Sequence, residues 1–293
     1  MQVGIGLPNT VPGSTGSSLL EWARRADRAG FSSLATIGAV SYPCFEELTS
    51  FAAAGAVTER IRFFSNILVA PARSSAELAK QSATVDQLTG GRLTLGMGVG
   101  WRTTDFQLTG RDYKRRGRAF DQQLADLQKS WSGEPILEGT REVGPPLVQQ
   151  PGIPILIGGT DDASFRRAAK YGVGWTAGGL PPDAVIANRA RAEAAWQQAG
   201  RADQPRVVAL IYFGLGDTQQ ASYDYLIDYY KAGGMEFAEM VAGSPPRSAE
   251  ALAGAIGAYA ATGIDELILD PTFADPDQVD LCAEVVFNHP AVG

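Results

Sequence analysis

Apolar and polar positions along the chain follow two alternating patterns. Short apolar runs of strand length are separated by longer segments in which apolar residues recur at helical spacing. The runs predict strands over Val3–Leu7, Ser33–Ile37, Ile61–Val69, Leu93–Met97, Ile155–Ile157, Val173–Ala177, Val207–Phe213 and Glu266–Leu269. The segments between predict helices over Ser17–Ala29, Phe45–Thr58, Ser75–Leu88, Arg118–Trp131, Asp161–Tyr171, Pro182–Ala199, Thr218–Ala232, Ser248–Thr262 and Asp277–Phe287. Boundaries carry their own signals. Ser17 and Ser18 open the first helix and Gly30 closes it. Gly90-Gly91 stops the third. In the fourth, Phe120, Leu124, Leu127 and Trp131 share one face.

Eight strand–helix units in sequence predict an α/β protein, a (β/α)8 TIM barrel. The competing arrangement is a doubly wound open sheet. Gly4-Ile5-Gly6-Leu7-Pro8 speaks against it, because no phosphate-binding glycine pattern follows. The chain reads as one domain over 1–293, with insertions at about 101–120 and 132–153 over the C-terminal face of the barrel. Residues 233–247, with Gly233-Gly234 and Pro245-Pro246, read as a loop.

In such a barrel the strand C-termini carry the chemistry. Here those ends are Leu7-Pro8-Asn9, Ile37-Gly38-Ala39, Ser65-Asn66-Ile67, Gly98-Val99-Gly100-Trp101, Gly158-Gly159-Thr160 and Thr176-Ala177-Gly178-Gly179. Charges are few and glycines many, so a backbone wall there would admit a flat ring closely. The single histidine, His289, lies near the C-terminus, which leaves no histidine for a triad or metal site at the strand ends. No lysine falls on a strand, so a Schiff base has no donor. A bound cofactor is therefore expected to bring the reactivity, with no metal. Gly158-Gly159-Thr160 before a helix could hold a phosphate on free amides. Asp161 and Asp162 argue for a plain helix cap instead, and both readings stay open. Arg111, Lys114, Arg115 and Arg116 are placed either to reach a charged cofactor tail or to solvate a helix start.

Charge and composition narrow the partners. A net charge of -7 over 293 residues argues against nucleic acid and anionic membranes. The N-terminus reads as a strand from its second residue, without a signal-peptide layout, and no apolar run is long enough to span a bilayer. Two distant cysteines, Cys44 and Cys282, suit a reduced cytoplasmic protein.

Several motifs, in this order and spacing, resemble the luciferase-like monooxygenase superfamily, in its F420-dependent oxidoreductase branch. They are Thr58-Glu-Arg-Ile61, Ala79-Lys-Gln-Ser-Ala-Thr84, Gly90-Gly-Arg-Leu-Thr-Leu-Gly-Met-Gly-Val-Gly-Trp101, Arg115-Arg-Gly117, Leu124 with Trp131-Ser-Gly133, Ile155-Leu-Ile-Gly-Gly159 and Gly172-Val-Gly-Trp175. The resemblance implies a homodimer binding F420, or alternatively FMN, at the barrel mouth. It implies cofactor contacts from Leu7, Gly38, Asn66, Ile67, Gly98, Val99, Gly100, Trp101, Gly158, Gly159 and Thr160. It also implies a non-proline cis peptide in strand three, here Asn66–Ile67.

Where the family commonly carries an Asp-His pair after strand two, this chain has Gly38 and Ala39. That departure favours hydride transfer over oxygen chemistry and leaves the proton donor unnamed, a loop side chain or a water. Tyr42 and Glu46 are the candidates, with Glu47 beside them. A small-molecule substrate is expected to meet Asn9, Ser41, Tyr42, Trp101 and Phe213. The expected activity is reduction of a C=C or C=N bond. An FMN-dependent monooxygenase and a non-catalytic flavin-binding relative are the alternatives.

Overall fold

The computed structural model describes residues 1–292. Eight parallel strands are present: β1 (Gln2–Gly6), β2 (Ser33–Thr36), β3 (Arg62–Val69), β4 (Leu93–Gly98), β5 (Ile155–Gly158), β6 (Gly174–Thr176), β7 (Arg206–Phe213) and β8 (Glu266–Pro271). Each pairs with its sequence neighbours, and β1 pairs with β8, closing a barrel.

Helices fill the crossovers. They are α1 (Gly16–Ala29), α2 (Glu47–Gly55), α3 (Ser75–Leu88), α4 (Thr103–Thr109), α5 (Arg116–Trp131), α6 (Asp162–Tyr171), α7 (Pro182–Gln198), α8 (Gln219–Tyr230), α9 (Met235–Gly243), α10 (Ala249–Ala260) and α11 (Asp277–Val286). None is long and apolar enough to cross a membrane. The helix α1 shows how local chemistry sets the ends. Thr15 caps it by accepting the Ser18 amide, and Gly30 ends it in the left-handed region at φ 101°. Its buried face is Leu19, Trp22, Ala23 and Ala26.

Strand alternation divides the core into two layers. Leu34, Phe63, Leu95, Ile157 and Leu267 face outward and pack against helix residues such as Trp22, Phe51 and Leu124. Ala35, Phe64, Leu156, Val208 and Ile268 face inward and fill the barrel. At its lower end, Glu266 accepts hydroxyl hydrogen bonds from Ser32 (2.5 Å) and Ser33 (2.7 Å) and an ion pair from Arg206. One buried carboxylate thus ties β8 to the turn into β2 and to β7.

The sequence pattern did not predict α4 or α9. Both are short, and both stand next to the glycines that punctuate their segments. Gly110 ends α4 at φ 66°, and Gly234 precedes α9 at φ 105°. The stretch read as a loop over 233–247 is therefore mostly helical.

Residues 132–153 hold no strand or α-helix of their own. Their return to β5 is fixed by Asp86, which is fully buried on α3. Its carboxylate accepts the Val148 amide (2.7 Å), the Gln149 amide (3.2 Å) and the Gln149 side chain (2.8 Å). Gln149 in turn donates to the Leu93 carbonyl at 2.7 Å. Asp86→Ala would leave these half-buried donors without their carboxylate acceptor, at a cost of up to about 1–3 kcal/mol in all. The variant is expected to lower the urea midpoint and to lose amide-exchange protection at 148 and 149. Unchanged protection there would show that the segment is held by other contacts.

Candidate functional site

The strand C-termini open onto a small cavity of about 120 Å³. Ile37, Gly38, Asn66, Ile67, Gly100 and Trp101 line it, with Arg102, Asp105, Tyr229 and Tyr230 above. A larger cavity of about 740 Å³ lies elsewhere, between α10 and α11, beside His289. It shares no lining residue with the mouth cavity.

The mouth takes its shape from β3. The β3–β4 register slips between Ser65 and Leu68. The Ser65 hydroxyl bridges the gap by accepting from the Gly96 amide (3.1 Å) and donating to its carbonyl (3.0 Å). The Asn66–Ile67 peptide is cis, at the position the family resemblance implied. Asn66 turns inward, and its Oδ1 accepts the Thr176 hydroxyl from across the barrel at 2.7 Å. Its Nδ2 is buried without a partner. Ile67 lies against the glycines. A side chain at Gly98 would collide with Ile67 Cδ1, and one at Gly158 would stand 3.1 Å from Ile67 Cγ2. The glycine wall is real, but Ile67 covers part of it.

A tyrosine cluster closes the mouth from α8. Tyr225 and Tyr229, one helical turn apart, join the inner cluster of the barrel. The Tyr225 hydroxyl meets Thr10 at 2.6 Å, Tyr230 meets Tyr212 at 2.6 Å, and Tyr229 donates to the Gly38 carbonyl at 3.2 Å. Tyr229 packs edge-on to Tyr230 and Tyr42, with ring centroids 5.0 and 4.9 Å apart. Arg102 lies between Trp101 and Tyr229, 4.6 and 4.1 Å from the ring centres.

Two carboxyls behave unusually. Asp270 ends the inward-facing row of β8, opposite Tyr212 on β7. It is 2% exposed, and its Oδ1 has no partner. A side chain on Gly6 would collide with that oxygen, so glycine there makes the room. Burial raises the Asp270 carboxyl well above the ordinary Asp value, and no cation opposes this. Glu47, on α2, has its Oε1 in the space a Gly38 side chain would need. Burial raises this carboxyl too, although Arg73 at 2.6 Å pulls the other way.

The sequence candidates separate into three groups. Gly38, Asn66, Ile67, Gly100 and Trp101 line the mouth. Gly98 and Gly158 lie beneath Ile67. Ser41 and Tyr42 line an adjoining outer cavity of about 350 Å³. Asn9 is buried, its amide donating to the carbonyls of Ile37 (2.9 Å) and Phe45 (3.2 Å), with Oδ1 unpartnered.

The rest are corrections. Leu7 and Phe213 are buried in the layer between barrel and helices, and Val99 packs against that layer. Strand alternation turns them away from the mouth, and Tyr212 takes the inward place that was expected of Phe213. Gly159 and Thr160 are exposed. Asp161 caps α6 by accepting the Ser164 amide at 2.7 Å, and Arg191 holds the Thr160 carbonyl at 2.8 Å. Asp161 thus caps that helix end, with Gly159 and Thr160 exposed beside it. Arg116 is likewise occupied, donating to the Gly100 carbonyl at 3.1 Å.

Neither candidate proton donor is poised for the role. Glu46 caps α2 through the Thr49 amide (2.6 Å) and pairs with Arg73 (2.8 Å). Burial lifts its carboxyl, but these hydrogen bonds and the guanidinium charge outweigh it and hold the group below its ordinary value. The Tyr42 hydroxyl donates to Asp228 at 3.0 Å. Burial first, and then that carboxylate, raise the phenol far above its usual range.

Sequence reasoning missed Arg102, Asp270 and the α8 tyrosines. Tyr225 and Tyr229 at i, i+4 were a legible apolar face. Asp270 lay one residue beyond the end assigned to the last strand. Arg102 followed Trp101 directly but read as part of a polar insertion.

Comparison with known proteins bears on this mouth. A family profile described as luciferase-like monooxygenase matches residues 1–267. An uncharacterized protein of Mycobacterium tuberculosis is 31% identical over 208 residues, covering 61% of this chain and 71% of its own length. A second uncharacterized protein of the same organism is 32% identical over 169 residues, 55% of this chain and 59% of that one. Solved structures share the fold. An F420-dependent secondary alcohol dehydrogenase, in complex with an F420-acetone adduct, matches with TM-score 0.79 and 17% identity over 100% of this chain and 99% of that one. The oxygenating constituent of 3,6-diketocamphane monooxygenase from Pseudomonas putida, in complex with FMN, matches with TM-score 0.77 and 18% identity over 100% and 99%.

Asp270 gives this arrangement a pH signature. Below about pH 4, folded and unfolded chains both hold the proton. As pH rises past that value the unfolded chain releases it and the folded chain keeps it, so this group's contribution to stability falls until the folded value is reached. Asp270→Asn removes the titration. The urea midpoint of the variant is expected to gain on the parent as pH rises above about 4, up to the raised folded value. A constant difference across that range would contradict a raised Asp270.

Proposed function

The chain belongs to the luciferase-like monooxygenase family, and from that premise we propose that it is an F420-dependent oxidoreductase acting on a small organic molecule. The observation that carries this reading is the Asn66 amide. Its Nδ2 is buried in the mouth with no acceptor, beside a floor of Gly98 and Gly158. A buried donor left unpaired costs about 1–3 kcal/mol, and a ring acceptor would recover it. The lining holds no histidine, cysteine or lysine, which suits a cofactor that carries its own chemistry.

The residues fit such a ring in chemistry. Asn66 would donate to a ring heteroatom, Gly100 and Trp101 would flank the ring, and Gly38 would border it. The fit in size requires movement. Small-molecule sites commonly enclose roughly 300–1,000 Å³. The cavity of about 120 Å³ reaches that only if Tyr229 and Tyr230, or Ile67, give way. When bound, reduced F420 supplies a hydride. The protein's part is orientation, which is worth roughly 7–11 kcal/mol in well-aligned systems, and exclusion of water by the α8 tyrosines. Asp270 is buried beside Tyr212 at the same end of the barrel, and burial raises its carboxyl above the ordinary Asp value.

The missing Asp-His pair, replaced by Gly38-Ala39, supports hydride transfer over oxygen activation. A binding titration of the full chain with F420 and FMN side by side tests the cofactor. F420 is expected to bind at least tenfold more tightly. A tenfold preference for FMN, with oxygen consumed on turnover, would overturn the reading.

A further inference from the structure

We propose that Arg102 is an oxyanion anchor, which selects substrates bearing a carboxylate or carbonyl oxygen next to the bond that is reduced. This deepens the preceding proposal and rests on it for the reaction. Arg102 is 7% exposed. A guanidinium this buried almost always has a carboxylate partner. Arg102 makes no ion pair among the described residues. Its Nη2 donates to the Tyr229 carbonyl at 2.5 Å. No protein acceptor takes Nε or Nη1.

The acids nearby are committed elsewhere. Asp105 accepts the Ser41 amide and hydroxyl at 2.7 and 2.6 Å. Asp228 takes Lys231 at 2.5 Å and the Tyr42 hydroxyl at 3.0 Å. Trp101 and Tyr229 hold the guanidinium plane on either side and fix its direction. They supply no acceptor for its N–H groups.

Its position completes the argument. Arg102 lines both the mouth cavity and the adjoining outer cavity of about 350 Å³. A molecule passing from the outer cavity to the strand ends meets this cation, whose free donors form a fork suited to a planar pair of oxygens. Asn66 Nδ2 is a buried, unpaired donor in the same mouth. One donor would face a cofactor ring, and the other a substrate oxygen.

The test uses the full-length chain and two probes of similar shape, crotonate and crotyl alcohol, with binding followed by calorimetry. The parent is expected to bind the acid at least tenfold more tightly than the alcohol. In Arg102→Gln that ratio is expected to fall to near one, with Arg102→Lys between the two. The ratio separates anchoring from structure, because a loosened α8 would weaken both probes alike. F420 affinity, measured on the same proteins, should change less than threefold. A ratio near one in the parent, or a ratio unchanged in Arg102→Gln, overturns the proposal. So does a tenfold loss of F420 affinity with the ratio preserved, which would give the anchor to the cofactor. Should the parent fail to bind F420 at all, the cofactor reading falls, while the ratio still judges Arg102.

Discussion

The upper layer of the barrel obeys one steric constraint: at Gly6, Gly38, Gly98 and Gly158 a side chain from elsewhere occupies or crowds the space the glycine leaves. Asp270 lies over Gly6, Ile67 over Gly98 and Gly158, and Glu47 beside Gly38. A Cβ at Gly6, Gly98 or Gly38 would strike its lodger, so these positions are coupled pairs, set by close packing. The arrangement brings two carboxyls and a bulged peptide to the rim of an otherwise apolar barrel. Each lodger comes from a different element, so the mouth forms only once the sheet has closed.

Closing the barrel this way buries polar groups with unmet hydrogen bonds. Asn66 Nδ2, Asn9 Oδ1 and Asp270 Oδ1 all lack partners, and Arg102 lacks a counter-ion. Unpaired buried groups are rare in folded proteins and cost free energy. Their gathering at one end of one barrel is what a ligand site requires. The α8 tyrosines cover this end of the barrel, with hydroxyls bonded to Thr10, Tyr212 and the Gly38 carbonyl and with Tyr229 and Tyr230 packed edge to face. Such a cover is apolar inside and hydrogen-bonded at its edges.

Much of this was legible in the chain. The eight strands and the barrel followed from periodicity, because each apolar run is bounded by turn residues and alternates with a helical segment. The glycine-rich ends of β4 and β5 were legible as well. Their filling was not, since Ile67 reaches them only through a register slip that no local pattern announces. Leu7, Val99 and Phe213 were misplaced for a related reason: in a strand buried on both faces, apolar residues alternate between layers without a polar signal to mark the phase. Asp161 showed the opposite case. Its identity as a capping residue spoke for itself, and it occupies the helix end where a phosphate had been considered. The sequence held one further clue that went unread, the spacing of Tyr225 and Tyr229.

A crystal structure of the chain grown with F420 would test the central claim most directly, that a tricyclic ring seats on the glycine floor once the tyrosine cover withdraws. The account predicts the ring between Asn66 and Trp101, with a ring acceptor on Asn66 Nδ2 and with Tyr229 and Tyr230 displaced from the mouth. A ring bound elsewhere, or a mouth still closed by those tyrosines at full cofactor occupancy, would contradict it.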